Sequence, residues 1–289
     1  MCSTCGCSSN ENGITLTKMG ENHHTHHHHD GHTHSHEHHH GEDAHTQEHG
    51  HGHEHDHNHD HEHHHHHHHH SHDVNIVELE KDILHQNQLG AERNRGFFDA
   101  LNIFAMNLVS SPGSGKTSLL EKTIADLKGE IEFSVIEGDQ QTTNDAARIH
   151  ALNVPVLQIN TGKGCHLDSE MIAKSLKELK PKQNSILMIE NVGNLVCPAM
   201  FDLGENQRVV IISTTEGEDK PLKYPDMFHS SNICIINKID LLPYLKFDLE
   251  KLKENAKKVN PNITFFEVSA TSGEGMEAWY EFLKSKVTS

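Results

Sequence analysis

No apolar run in the 289-residue chain approaches the ~18 residues of a membrane-spanning helix, and the Met1-Cys2-Ser3 start has neither the basic nor the apolar region of a secretory signal. Both absences predict a cytosolic protein with no membrane partner. Positive charge is scarce as well: 24 Lys and Arg against 42 Asp and Glu leave a formal charge of −18, which argues against nucleic acid or anionic membrane as a main partner. The first 72 residues hold almost no aliphatic side chains and a single lysine, Lys18. Burial there cannot offset chain entropy, so disorder is expected for that stretch. Only six cysteines occur, three of them at positions 2, 5 and 7. In a reducing compartment such a cluster reads as metal ligands rather than a disulfide framework.

What the first 72 residues do contain is histidine, 29 of the 33 in the chain. With an imidazole pKa near 6.5, about a quarter are protonated at pH 7, adding roughly seven positive charges and leaving the rest as metal donors. Three segments follow: an N-terminal Cys motif at 1–7, a disordered His-rich metal-binding tail at 8–72, and one globular domain at 73–289. The run His63–His70 alone resembles an expression tag, but Asp, Glu, Gly, Asn, Thr and Ser interleave the histidines from His23 to His61.

Residues 74–101 carry a helical apolar spacing interrupted at Leu89-Gly90, read as one or two leading helices. Short β-rich runs then follow at Ile103–Val109, Ile131–Ile136, Val154–Ile159, Ser185–Ile189, Val209–Ser213, Ile233–Ile236 and Ile263–Val268. Helical stretches lie between them at Lys116–Lys128, Asn144–Leu152, Asp168–Leu179, Phe247–Lys258 and Glu274–Lys286. Strands that are apolar throughout and alternate with helices predict an α/β fold with a mostly parallel, doubly wound sheet. Ligands of such sheets sit at the carboxyl ends of the strands, where every motif described next falls.

Strand Ile103–Val109 leads into Ser110-Ser111-Pro112-Gly113-Ser114-Gly115-Lys116-Thr117-Ser118 and a helix, the context of the phosphate-binding loop of a P-loop NTPase. Gly113, Ser114 and Gly115 allow backbone N–H groups to curl around phosphates, Lys116 reaches the β/γ-phosphates, and the Thr117 hydroxyl can ligate Mg2+. Ser110 stands where the usual pattern has its first glycine. Asn237-Lys238-Ile239-Asp240 resembles the guanine motif of GTPases: Asp240 can accept from guanine N1–H and N2–H, Asn237 braces the loop, and Lys238 lies over the base. GTP and GDP are therefore the expected nucleotides. Ser269-Ala270 resembles the loop that offers a backbone N–H to the guanine oxygen. Two loops can sense the γ-phosphate, Glu137 to Thr142 and Glu190-Asn191-Val192-Gly193. Asp139 is the first candidate for a Mg2+ or water-positioning role and Glu190 the second; either can instead cap the following helix.

Cys165-His166 and Cys197 follow the strands Val154–Ile159 and Ser185–Ile189, taken as neighbours, so their loops can meet at one edge. Two thiolates and an imidazole suit Ni2+ or Zn2+ and leave one coordination position open. Ordinary half-buried thiols are the alternative. Cys197 lies four residues after Gly193, so a γ-phosphate-dependent shift of that loop would move one ligand against the other two. Cys2, Cys5 and Cys7 with a backbone or terminal nitrogen can form a closed square-planar nickel site, and the histidine tract offers many interchangeable imidazoles of modest affinity.

These residues together resemble the HypB family, the nickel-inserting GTPases of NiFe-hydrogenase maturation, over residues 1–7 and about 95–289. The resemblance rests on the CxxCGC start, SSPGSGKT, EGDQQT, GKGCH, ENVGNLVCP and NKID in that order. It implies a nucleotide- or metal-dependent homodimer, a lower-affinity Ni/Zn site at Cys165, His166 and Cys197, and a tighter nickel site at the N-terminal cysteines. It also implies nickel storage in the His-rich tail, and as partners a HypA-type nickel chaperone and the hydrogenase large-subunit precursor. The related urease-maturation GTPases have a Cys-Pro-His motif that is absent here. A nickel-sequestering protein with a vestigial G domain is the alternative from another class.

Overall fold

The computed structural model describes residues 15–19, 72–140 and 144–287. Cys2, Cys5, Cys7, the histidines from His23 to His70, Gln141 and Thr142 lie outside them. In chain order the elements are strand β1 (Thr15–Lys18), helix α1 (His72–Ala100), β2 (Ile103–Ser110), α2 (Lys116–Leu127), β3 (Phe133–Asp139), α3 (Asn144–His150), β4 (Val156–Asn160), α4 (Ser169–Leu179) and β5 (Ser185–Glu190). A 3-10 turn (Cys197–Met200), β6 (Gln207–Ser213), the short helices α5 (Lys220–Lys223) and α6 (Pro225–Ser230), β7 (Ile233–Asn237), a 3-10 segment (Ile239–Tyr244), α7 (Leu249–Val259), β8 (Thr264–Glu267) and α8 (Met276–Val287) complete it.

The strands form one sheet in the order β1-β4-β3-β5-β2-β6-β7-β8, parallel throughout except for β1, which pairs antiparallel with β4. Side chains alternate across it. Met106 and Leu108 of β2 join the core beneath α2, α3 and α8, with Leu120, Ile149 and Trp279, whereas Ala105 packs on the opposite face with Phe98 of α1 and Ile172 of α4. Val109 joins a third cluster on that second face with Phe228 of α6 and Leu252 of α7. The sheet is thus doubly wound, and its central strands read as continuous apolar runs because both faces are covered.

Two expectations need correction, and one open choice is resolved. Residues 15–18 are a strand within the stretch assigned to disorder. Leu16 packs onto the second-face core, and Thr15–Lys18 satisfies the open edge of β4, with Thr15 opposite Asn160. The leading helix is not interrupted at Leu89-Gly90. Gly90 is there because α1 crosses α4 closely: a Cβ on it would lie 2.2 Å from Ser169 Oγ. Finally, β4 and β5 are not neighbours, since β3 lies between them. The short α5 and α6, each opening on a proline near its first residue, carry too few turns to show a helical period. Among the described residues no helix is long and apolar enough to cross a membrane.

Candidate functional site

The cleft at the carboxyl ends of β2, β3 and β5 has a volume of about 500 Å³ and is lined by Ser110 to Ser118, Glu137 to Asp139, Glu190 and Lys238, among others. Helix α2 begins at Lys116 without a side-chain cap, so its first N–H groups are left to face the cleft. Gly113 and Gly115 adopt φ of 78° and 88°. A Cβ on Gly115 would meet Asn237 Nδ2 at 2.5 Å, so this glycine serves both the turn and the close approach of β7. Ser114 is buried, with an Oγ that has no partner among the described residues. Ser110, at the end of β2, donates its hydroxyl to Ser111 O at 2.9 Å.

Glu190 closes the floor of the cleft. Its Oε1 accepts from Thr117 Oγ1 at 2.6 Å and from Lys116 Nζ at 2.8 Å, with the Glu190 side chain 1 % exposed. Asp139, the first candidate from sequence, instead accepts its neighbour's N–H: Gln140 N donates to Asp139 Oδ1 at 2.6 Å. Glu137 was not singled out, and the structure buries it on the same floor; burial first, then the charges of Glu190 and Asp139, push its carboxyl up to about 8. The signal available was a carboxylate at the end of an apolar strand. Oε2 of Glu137 and Oε2 of Glu190 have no hydrogen-bond partner among the described residues. A set of oxygen donors with lone pairs left over, beside a hydroxyl, fits a hard divalent cation such as Mg2+.

At the other end of the cleft Asn237 ties three loops together. Its Nδ2 donates to Ser114 O at 3.0 Å, while its Oδ1 accepts from Lys238 N at 2.8 Å and from Ala270 N at 3.2 Å. Ser269 is fully buried and its N–H donates to Glu274 O at 2.8 Å. Lys238 adopts φ 64°, which brings its Nζ to Gly113 O at 2.7 Å. Asp240 Oδ1 is buried without a partner among the described residues, an acceptor of the type a guanine N–H edge requires.

The second cluster is Cys165, His166 and Cys197, whose ligand atoms all lie within 4.8 Å of one another. Cys165 Sγ is 3.7 Å from His166 Nδ1, and the His166 ring stacks on Phe201 at 3.8 Å. Burial holds the imidazole pKa below its usual value, which keeps the ring neutral and able to ligate. The three groups meet although their strands are not adjacent, because the loop from Glu190 to Cys197 crosses toward the loop after β4. Asn194 Nδ2 donates to Cys165 O at 3.2 Å, and Leu167 N donates to Asn191 Oδ1 at 3.2 Å. Asn191, Asn194 and Phe201 were not singled out in the sequence.

The nucleotide-binding domain of the CobW/HypB/UreG family matches residues 104–267. The chain is 56 % identical over 211 residues to the hydrogenase maturation factor HypB of Escherichia coli, covering 73 % of each chain. To the probable hydrogenase maturation factor HypB of Methanocaldococcus jannaschii it is 38 % identical over 214 residues, covering 74 % of this chain and 97 % of the relative. Among solved structures, HypB of Archaeoglobus fulgidus superposes with a TM-score of 0.65 at 39 % identity, over 70 % of this chain and 98 % of that one. HypB of Helicobacter pylori in complex with nickel does so with 0.65 at 38 %, over 70 % and 95 %. A phosphate loop opening α2, a buried carboxylate on its Lys and Thr, and these likenesses agree: the chain belongs to the CobW/HypB/UreG family of P-loop nucleotide-binding proteins, and within it to the hydrogenase maturation factors of the HypB type.

Proposed function

We propose that this protein is a cytoplasmic, Mg2+-dependent GTPase that binds and stores nickel and supports its insertion into the large subunit of NiFe-hydrogenase. The observation that carries the reading is one loop with two ends. Glu190 begins it against Lys116 and Thr117, and Cys197, seven residues later, ends it beside Cys165 and His166.

In this reading Gly113, Ser114, Gly115 and Ser118 hold the phosphates, Lys116 neutralises β/γ charge, and Thr117, Glu190 and Asp139 are the residues that would hold Mg2+. The cation, when bound, offsets charge that develops on the phosphate oxygens. When phosphate arrives Lys116 turns from Glu190 to it, so the first residue of the loop exchanges its lysine partner. Asp240 selects guanine, with Asn237, Lys238, Ser269 and Ala270 framing the base. Cys165, His166 and Cys197 take Ni2+ or Zn2+ as cargo, with one position open for a donor or acceptor. Cys2, Cys5 and Cys7 form a tighter nickel site, and the histidine tract supplies capacity. A HypA-type chaperone and the hydrogenase precursor are the expected partners, with a homodimer formed on nucleotide or metal binding.

The test is the nickel dissociation constant of the Cys165/His166/Cys197 site with GDP and with a non-hydrolysable GTP analogue. A ratio of about ten, equivalent to about 1.4 kcal/mol, is expected, and linkage requires nickel to change the preference for the analogue over GDP by the same factor. Equal constants in the two nucleotide states refute the coupled reading.

A further inference from the structure

Asn107 interrupts the apolar pattern of β2 at its centre. It is 0 % exposed and lies on the face where Ala105 and Val109 enter two separate apolar clusters. A buried amide is costly unless its donors and acceptors are met, and an apolar side chain of similar size serves a sheet core at least as well. Stability alone therefore does not call for this residue, and its partners show what it joins.

Asn107 Oδ1 accepts from Asn191 Nδ2 at 3.2 Å, and Asn107 Nδ2 donates to Glu205 Oε1 at 3.1 Å. Glu205 in turn accepts from Arg208 Nε at 2.9 Å and from Leu203 N at 2.7 Å. The Glu205–Arg208 pair is 5 % and 7 % exposed. Arg208 then donates to Ala199 O at 3.0 Å and to Phe201 O at 2.8 Å, besides Ser230 Oγ at 2.9 Å. Ala199 belongs to the 3-10 turn that begins with Cys197, and Phe201 is the ring stacked on His166. The other arm of Asn191 accepts from Leu167 N, next to His166. Asn191 itself follows Glu190, whose carboxylate holds Lys116 and Thr117.

We infer that the buried chain Asn191–Asn107–Glu205–Arg208 is a positioning relay. From beneath the sheet edge it holds the Cys197 turn and the His166 ring in register with the loop that starts at Glu190, and Asn107 is its central positioning residue. This deepens the nickel reading above and rests on it. The side-chain hydrogen bonds of Asn107 go to Asn191 and Glu205, and it belongs to neither the phosphate loop nor the Cys165/His166/Cys197 set, so its replacement leaves both sets of ligands in the chain. What is lost is the link that makes one geometry of the metal site coincide with one position of Glu190.

The test uses the full chain carrying Cys2→Ser, Cys5→Ser and Cys7→Ser, so that, with Cys234 fully buried, the near-ultraviolet thiolate-to-nickel band reports Cys165 and Cys197 while histidine-bound nickel stays silent. Free nickel is set by a chelator buffer, and band amplitude gives the affinity. Asn107→Leu is expected to bind GDP within about twofold of the parent, which also shows that it folds, while nickel affinity at the thiolate site falls about tenfold and the band shifts. The nickel affinity ratio between GDP and a non-hydrolysable GTP analogue should move toward one. A native band with native affinity in Asn107→Leu overturns the relay. Should Asn107→Leu fail to bind GDP, Arg208→Lys, which keeps a positive charge beside Glu205 but cannot donate to Ala199 O and Phe201 O together, is judged by the same band and affinity. A parent chain without any thiolate band refutes the metal reading and the relay with it, whereas a parent band that neither variant changes refutes the relay alone.

Discussion

Replacing Glu190 by Gln tests which carboxylate serves the nucleotide. The substitution keeps the shape of the side chain and one acceptor for Thr117 Oγ1, now 2.6 Å away, but removes the charge that holds Lys116 Nζ at 2.8 Å. A charge-assisted hydrogen bond is roughly twice as strong as a neutral one, so about 1 kcal/mol of the Thr117 contact goes. A cation seated there loses one of its anionic donors, and deleting one preorganised electrostatic group typically costs about 3 kcal/mol in the transition state. Hydrolysis by Glu190→Gln should therefore fall on the order of 100-fold, with the Mg2+ requirement moved to higher concentration. GDP binding without Mg2+ should hardly change. Asp139→Asn should cost less than about tenfold, because Asp139 Oδ1 caps the adjacent Gln140 N–H and the amide oxygen can still do so. Single-turnover hydrolysis across a Mg2+ series measures both. A larger loss in Asp139→Asn, or an unchanged Mg2+ dependence in Glu190→Gln, would make Asp139 the working carboxylate and refute the reasoning.

Lys116→Ala should abolish GTP hydrolysis, and undiminished turnover of the purified variant would exclude the phosphate-loop assignment. Asp240→Asn should relax the preference for GTP toward XTP, whose C2 oxygen can accept from the new amide; an unchanged GTP over XTP ratio in competition binding removes the base assignment. Gly90→Ala gains about 1 kcal/mol of helix propensity but drives a methyl to 2.2 Å from Ser169 Oγ, an overpacking that costs about 1–3 kcal/mol. Urea denaturation should show net destabilisation that Ser169→Ala partly relieves, and a stabilised single variant would mean that the α1–α4 crossing yields freely.

The parallel sheet was legible because β2 to β7 are buried on both faces, and a strand covered on both sides writes itself as an uninterrupted apolar run. The four residues of β1 carry no such run, only Leu16 between threonines, since an edge strand buries little. Spatial order is also silent in local pattern: nothing near Val156 or Ser185 announces that β3 comes between their strands. Cys165, His166 and Cys197 still come within 4.8 Å of one another, although the strand adjacency from which their meeting was expected does not hold. Gly90 left one helix or two open because a glycine used for helix contact looks the same in sequence as one that ends a helix. Glu137 and Asn107 escaped notice because a single polar residue in an apolar run declares its purpose only through its partners.

Strand β1 adds a second point of attachment on the N-terminal side of the histidine-rich stretch. Thr15–Lys18 is fastened to β4 and α1 starts at His72, so the described residues on either side of 20–71 both belong to the folded domain. Loop closure depends only logarithmically on length, so doubling or halving the segment alters its cost by about 0.6 kcal/mol. The number of residues between the two anchors can therefore vary widely at almost no expense to the fold, provided the anchors stay. Cutting away everything before His72 is a different operation, since it also strips β1 from β4 and leaves Leu157–Asn160 as an open edge on which other strands can pair.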